Sequence, residues 1–165
     1  MKDNAIWETW FEKNKEEMIR TADDIFRHPE LSEKELYSSK CLADFLAERG
    51  FSIQWNIAGF ATSFIAQWGD GKPILGFLAE YDALPGLGQK AVPKHHPETG
   101  PGHGCGHNLL GTACAGAACA LKAQMEKAGT TGTIRVYGCP AEEIVIGKIR
   151  MNEQGAFEDL SAAIT

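Results

Sequence analysis

The stretch GHGCGHNLLG, residues 102–111, packs two imidazoles and a thiol into five positions that alternate with glycine. In an extended segment the side chains of residues i and i+2 point the same way, so Cys105 and His107 can face one cation. The intervening glycines permit close approaches that larger residues forbid. From this stretch by itself two interpretations are open: a metal site, or a glycine-rich loop that carries a small buried cysteine.

The segments on either side of this stretch indicate a helix and a buried strand. Residues 109–127 are rich in alanine and predict a helix, in which Cys114 and Cys119 are interpreted as core residues. The almost wholly apolar segment 73–79 predicts a central strand covered on both faces. The glycine- and proline-rich connection 86–102 is predicted to be irregular, with His95 and His96 as solvated loop residues.

Hydrophobic periodicity and turn residues predict the remaining elements. Ser32 and Glu35 have the capping-box spacing at the start of a helix. The turn at residues 69–72 predicts a hairpin between its flanking strands. The predicted helices cover residues 4–27, 33–49, 147–151 and 155–163, and the further strands cover 51–57, 62–68 and 131–139. The expected fold is α/β, a three-layer αβα domain with a mostly parallel central sheet.

Composition limits the class of protein and its partners. A chain of 165 residues with 44% hydrophobic and 23% charged residues is typical of one soluble globular domain. It has no apolar run of the roughly 18 residues that span a bilayer and no signal-peptide pattern, so no membrane partner and a cytoplasmic location are expected. Five scattered cysteines fit a reducing compartment without disulfides. A net charge of -6 argues against a nucleic-acid partner.

Four carboxylates follow predicted strands: Glu80 and Asp82 after one, and Glu142 and Glu143 after the next. Ligands of open α/β sheets bind beyond the carboxyl ends of the strands, so these groups are expected near the Cys-Gly-His segment. Carboxylate, imidazole and thiolate together suit zinc or a similar divalent ion. One of two adjacent glutamates can bind a metal while its neighbour moves a proton. A solvated charged pair is the alternative for Glu142 and Glu143.

Four motifs occur in one order along the chain. They are HPELSEKE at 28–35, AEYDALPGLGQ at 79–89, GHGCGHNLLGTA at 102–113 and PAEE at 140–143. With these motifs the sequence resembles the metal-dependent amidohydrolases and metallopeptidases of the aminoacylase and carboxypeptidase type. Within that family it is most similar to the branch of the aminobenzoyl-glutamate utilisation proteins, with N-acyl amino acid amidohydrolases as relatives.

The resemblance implies a function for each matching residue. Cys105, His107 and Glu143 would be metal ligands, Glu142 the general acid/base, and Asp82 the residue that steadies the metal shell. A complete relative would hold two divalent ions, zinc or manganese, and hydrolyse the amide bond of N-acyl amino acids or aminobenzoyl-glutamate-like compounds. The partner implied is therefore a small-molecule substrate.

The sequence also departs from the family pattern. Glu80 stands where other branches have a histidine ligand, and Cys105 would compensate at the bridging position. The segment 144–146 replaces small glycines with Ile-Val-Ile, which could crowd the entrance.

Family members are more than twice as long, so residues 1–165 would be the N-terminal part of a zinc-peptidase-like catalytic domain. The inserted dimerisation domain and the C-terminal part would be absent. We therefore expect at most one weakly bound ion, negligible activity of the isolated chain, and self-association. A non-catalytic truncated paralogue that acts as a binding or assembly module is the alternative.

Overall fold

The computed structural model describes residues 6–165, which form a five-stranded sheet with helices on both faces. The start of the first predicted helix, at residue 4, lies outside the described residues. The helices are α1 (Ile6–Arg27), α2 (Leu36–Ala47), α3 (His107–Ala128) and α4 (Gly147–Glu153), and a 3₁₀ turn covers Ile57–Gly59. The strands are β1 (Ser52–Trp55), β2 (Phe64–Asp70), β3 (Ile74–Ala79), β4 (Gly132–Gly138) and β5 (Ala162–Ile164). Across the described range, no helix combines the length and apolar character needed to cross a bilayer.

The strand order is β1-β2-β4-β3-β5, which confirms the α/β class in a mixed sheet. β3 runs parallel to β4 and to β5, whereas β2 runs antiparallel to β1 and to β4. The predicted hairpin between β2 and β3 is wrong, because β4 lies between the two strands. β4 is buried along almost its whole length, because it is the central strand of the sheet and other elements cover both of its faces. The turn therefore reverses the chain without pairing the strands that it joins.

The two faces of the sheet are covered unequally. Phe64, Ala66 and Val136 point into the larger core, which also contains side chains of α1, α2 and α3. Ile65 and Tyr137, which alternate with them, face a smaller cluster built from α4 and the turns that follow it. The fold therefore has the three predicted layers, and the layer that contains α4 is thin. The second predicted short helix, at 155–163, is wrong, because turns there lead into β5 beside β3.

The predicted capping box at the start of α2 is also wrong. The helix begins at Leu36, its N-cap residue Glu35 makes no capping hydrogen bond, and the carboxylate of Glu30 instead accepts the backbone N–H groups of Tyr37 and Ser38. The hydroxyl of Ser32 instead donates to Asp82 Oδ2 at 2.8 Å. The carboxylate of Glu35 accepts the backbone N–H of Ala141 at 2.9 Å. Both side chains thus make contacts that are distant in sequence, and Glu35 Oε1 also accepts the local backbone N–H of Glu33 at 2.8 Å.

Gly111 allows α3 to lie close to the end of β3. A Cβ at this position would overlap the carbonyl oxygen of Glu80 and the side chain of Leu42. Because the first turns of α3 can approach the sheet so closely, His107 at the start of the helix lies directly beside the residues that leave β3.

We predict that the chain self-associates through the edge of the sheet at β5. All three residues of β5 are exposed, and Ile164 retains 54% of its accessible surface. An unpaired apolar edge strand is a template for pairing with another chain. Light scattering at rising concentration should give a mass above the 17.9 kDa monomer. Ile164→Lys should shift the mass towards the monomer, whereas Ile19→Lys, at an equally exposed isoleucine on α1, should not. A clean monomer at high concentration contradicts the prediction.

Candidate metal centre

Three segments meet at the carboxyl ends of β3 and β4. β3 leads directly into Glu80 and Asp82, and β4 leads into the turn that carries Glu142 and Glu143. The third segment is the start of α3, where His107 is the first helical residue. The two strands are parallel, so their carboxyl ends lie at the same edge of the sheet, as the sequence predicted.

His107 is buried between two carboxylates. Its Nδ1 lies 2.9 Å from Asp82 Oδ1, and its Nε2 lies 3.1 Å from Glu80 Oε2. Burial lowers the pKa of an imidazole, but these two carboxylates outweigh it and raise the pKa of His107 to about 11. Without a metal, His107 is therefore an imidazolium cation at neutral pH.

Asp82 joins three parts of the site. Its Oδ1 contacts His107, while its Oδ2 accepts the hydroxyl of Ser32 at 2.8 Å and the backbone N–H of Glu143 at 3.0 Å. Burial raises the pKa of a carboxyl group, but the hydrogen bonds to the ionised form prevail and the pKa of Asp82 is lowered. Asp82 thus fixes the imidazole and the second glutamate at once.

Glu80 forms an ion pair with Lys148 of α4. Burial opposes ionisation of Glu80, but His107 and Lys148 overcome it and lower its pKa. Sequence reasoning missed Lys148. Its signal was weak: a single basic residue five positions after the glutamate pair, behind a glycine. The backbone at Gly147 approaches the carbonyl of Pro140 so closely that a Cβ would clash, which brings Lys148 back towards the site.

Two groups of donor atoms could hold an ion, and both include His107. Cys105, His107 and Glu143 form the first group, with ligand atoms within 4.8 Å of one another, and Glu80, His107 and Glu142 form the second. Within residues 6–165, the buried Oε1 of Glu143 has no hydrogen-bond partner. Burial also raises the pKa of Glu143. The structure therefore brings together all five predicted site residues; their roles as ligands and catalysts stay predictions.

The turn that presents Glu142 and Glu143 is held in a rare backbone conformation. Ala141 and Val145 have φ values of 56° and 57°, in the left-handed region that a β-branched residue seldom adopts. The fully buried Glu35 anchors the turn, since its Oε1 accepts the N–H of Ala141 and its Oε2 accepts the hydroxyl of Thr62 at 2.9 Å. Sequence reasoning assigned Glu35 to a helix cap and so missed this role.

The other histidines of the motif region lie outside both donor groups. The long connection between β3 and α3 is irregular as predicted, and the prediction of solvated histidines holds there for His95 but not for His96, which is partly buried. His103 is buried near the ring of Phe26, and neither of its ring nitrogens finds a partner in the described part of the chain. Burial lowers the pKa of His103, so a neutral ring is favoured there.

Comparison with known proteins identifies the family. The family model described as peptidase family M20/M25/M40 matches residues 76–164, more than half of the chain. The chain belongs to this peptidase family. The predicted resemblance to metal-dependent amidohydrolases and peptidases is thereby confirmed, and the family is one of hydrolases.

Individual M20 relatives align with nearly all of this chain but extend well beyond it. One subunit of the p-aminobenzoyl-glutamate hydrolase of Escherichia coli K12 is 44% identical over 99% of this chain and 34% of its own length. The N-acetylcysteine deacetylase of Bacillus subtilis is 31% identical over 88% of this chain and 38% of its own length. The chain thus spans about a third of the curated relatives that it matches.

A solved M20 structure supports the fold and the class of cofactor. A dinuclear metal-binding peptidase of the M20 family from Bacillus subtilis superposes with a TM-score of 0.75 at 28% identity. The superposition covers 94% of this chain and 42% of the other. The α/β fold is therefore shared with this M20 peptidase, and the family context is one of divalent metals.

The anchor at Glu35 can be tested by stability. Glu35→Ala removes the buried acceptor of the Ala141 N–H and Thr62 hydroxyl, and should lower the free energy of unfolding by about 2–4 kcal/mol. Glu35→Gln keeps a side chain of the same shape with one acceptor oxygen, and should lower the free energy of unfolding much less. Glu48→Ala, at an exposed glutamate of the same region, should stay within about 0.5 kcal/mol of the wild type. Chemical denaturation measures all three, and equal losses for Glu35→Ala and Glu35→Gln would contradict the anchoring role.

Proposed function

We propose that this chain is the N-terminal part of the catalytic domain of a metal-dependent amidohydrolase. The observation that carries the proposal is the convergence of a thiol, an imidazole and a carboxylate beside a second carboxylate. The proposed substrates are N-acyl amino acids, including aminobenzoyl-glutamate-like compounds. The names of two relatives support this class, since p-aminobenzoyl-glutamate and N-acetylcysteine are both N-acyl amino acids.

Cys105, His107 and Glu143 would hold the divalent ion. The buried Oε1 of Glu143 supports this assignment, because it lies 3.7 Å from His107 Nδ1 and has no hydrogen-bond partner among residues 6–165. A buried acceptor without a partner is costly unless something else satisfies it. Thiolate and imidazole donors favour zinc, and the carboxylates keep manganese as the second candidate.

The isolated chain should hold at most one ion, and hold it weakly. A zinc site with an open position usually has three protein ligands, and the described residues offer only one group of three that includes the thiol. Glu80 is already paired with Lys148 and His107, and both oxygens of Asp82 already accept hydrogen bonds. A metal must also displace the ring proton of His107, whose pKa is about 11.

The proposed chemistry divides between the metal and the residues around it. A bound divalent ion would lower the pKa of water and polarise the amide carbonyl. Glu142 is half-buried, with Oε2 3.6 Å from His107 Nε2, and would accept a proton from the attacking water and return it to the leaving amine. Asp82 would hold the ring of His107 in one orientation, as carboxylates commonly do for ligating histidines.

Two further proposals concern a second candidate function and the location of the chain in the cell. The shortage of donors favours, as a second candidate function, a non-catalytic chain that serves as a binding or assembly module. A cytoplasmic location is proposed because all five cysteines are free thiols, which fits a reducing compartment.

Metal binding provides the direct test of this function. Isothermal titration of the 165-residue chain with zinc should give at most one site, with an affinity that rises at least tenfold per pH unit between pH 6 and 9, because zinc displaces both the ring proton of His107 and the thiol proton of Cys105. Cys105→Ser and Glu143→Gln should each weaken binding at least tenfold. Hydrolysis of N-acetyl amino acids by the isolated chain should be negligible.

Matched control variants distinguish the loss of a metal ligand from a general effect of substitution on the protein. Cys41→Ser and Glu153→Gln replace a cysteine and a glutamate outside both donor groups and should leave zinc affinity unchanged. Two tightly held ions per chain, or metal-dependent turnover that Glu142→Gln abolishes, would overturn the proposal of a single weak site. Equal zinc affinity in the wild type and in Cys105→Ser would remove the thiol from the site.

A further inference from the structure

Lys148 of α4 lies beside the second of the two donor groups, which consists of Glu80, His107 and Glu142. Its ammonium forms an ion pair with Glu80 Oε1 and lies 4.0 Å from Glu142 Oε1. The side chain of Lys148 is only 32% exposed, so water screens these contacts incompletely. A positive charge that belongs to the protein therefore lies next to two of the three side chains of this group.

Lys148 is a cation in this position. Burial lowers the pKa of an ammonium group, but Glu80 outweighs this effect and raises the pKa of Lys148. The other lysine of this region, Lys34, lines a surface cleft together with Glu143. Among residues 6–165, Lys148 is thus the lysine that pairs with the carboxylates of the second donor group.

The two donor groups compete for one imidazole. His107 belongs to both; Cys105 and Glu143 complete the first, and Glu80 and Glu142 complete the second. In the second group, His107 Nε2 lies 3.1 Å from Glu80 Oε2 and 3.6 Å from Glu142 Oε2. An ion held there would need no thiol, but it would occupy the proposed proton carrier, Glu142. The position of the ion therefore decides whether Glu142 is a ligand or is free to move a proton.

We infer, on the basis of the proposed function, that the Lys148 ammonium excludes metal ions from the second group and so directs a single ion to the group that contains Cys105. Like charges about 4 Å apart repel strongly where burial limits screening. The ammonium also supplies the positive charge that Glu80 and Glu142 would otherwise draw from a metal. Lys148 is thus a positioning residue, which leaves Glu143 as the ligand and Glu142 as the proton carrier.

The exclusion also determines which metal the chain prefers. The first group offers a thiolate, an imidazole and one carboxylate, a donor set that suits zinc. The second group offers an imidazole and two carboxylates, which suit manganese better. Because Lys148 closes the second group, it should favour zinc over manganese.

Paired zinc and manganese titrations of the full chain test the inference, with alkylation of Cys105 by iodoacetamide as a second measurement. In Lys148→Met the second group becomes available, so the ratio of zinc to manganese affinity should fall at least tenfold. Lys148→Arg keeps the charge and should keep the wild-type ratio. Lys40→Met should do the same, because Lys40 is an exposed lysine of α2 that pairs with Asp44 outside both donor groups.

Alkylation reports where the ion lies, which a purely structural role of Lys148 would not alter. In the wild type, each metal that binds should protect Cys105, because the ion holds the thiol. In Lys148→Met, manganese should bind and leave Cys105 open to alkylation.

Two results would overturn the inference: an unchanged ratio of affinities in Lys148→Met, or a metal that binds the wild type without protecting Cys105. The second result needs no variant, so it decides the question even if Lys148→Met does not fold. A wild type that binds neither metal removes the proposed metal function. Manganese binding that then appears only in Lys148→Met supports the exclusion by the ammonium, and a variant that also binds neither metal removes both proposals.

Discussion

The burial of His107 between Asp82 and Glu80 is the interaction on which the rest of the site depends. It joins the end of β3 to the start of α3, and Asp82 extends it to the turn after β4 through the backbone of Glu143. Breaking a buried ion pair on one side leaves an uncompensated charge, which is strongly destabilising. In the metal-free chain the proposed ligand His107 is thus held by Asp82 and Glu80, and its ring proton supplies positive charge beside these carboxylates.

The sequence predicted those parts of the fold that depend on local patterns. α1, α3 and β3 could be predicted from periodicity, helix-forming residues and an unbroken apolar run. The position of β4 could not be predicted, because a turn such as that at residues 69–72 specifies a reversal of direction but not which strand lies alongside. Helix capping failed for a related reason: the acceptor of Ser32 lies 50 positions away, and one donor to Glu35 lies 106 positions away.

The donor groups of the site were predictable because they belong to compact motifs. Cys105 and His107 are two positions apart, and Glu142 and Glu143 are adjacent, so their convergence needed only the rule that parallel strands end at one edge. Lys148 was not predictable in this way, since its partner Glu80 is 68 positions away and an isolated lysine is ordinarily a solvated residue. The anchoring of the strained turn by Glu35 likewise requires the three-dimensional contact to be seen.

X-ray absorption at the zinc edge of the metal-loaded chain tests the central claim most directly, because it identifies the atoms bound to the ion. We expect one sulfur at about 2.3 Å and lighter atoms at about 2.0–2.2 Å, including the imidazole pattern of one histidine. The sulfur shell should disappear in Cys105→Ser and persist in Cys41→Ser. A wild-type spectrum with oxygen and nitrogen neighbours only would contradict the assignment of Cys105, His107 and Glu143 as one metal centre.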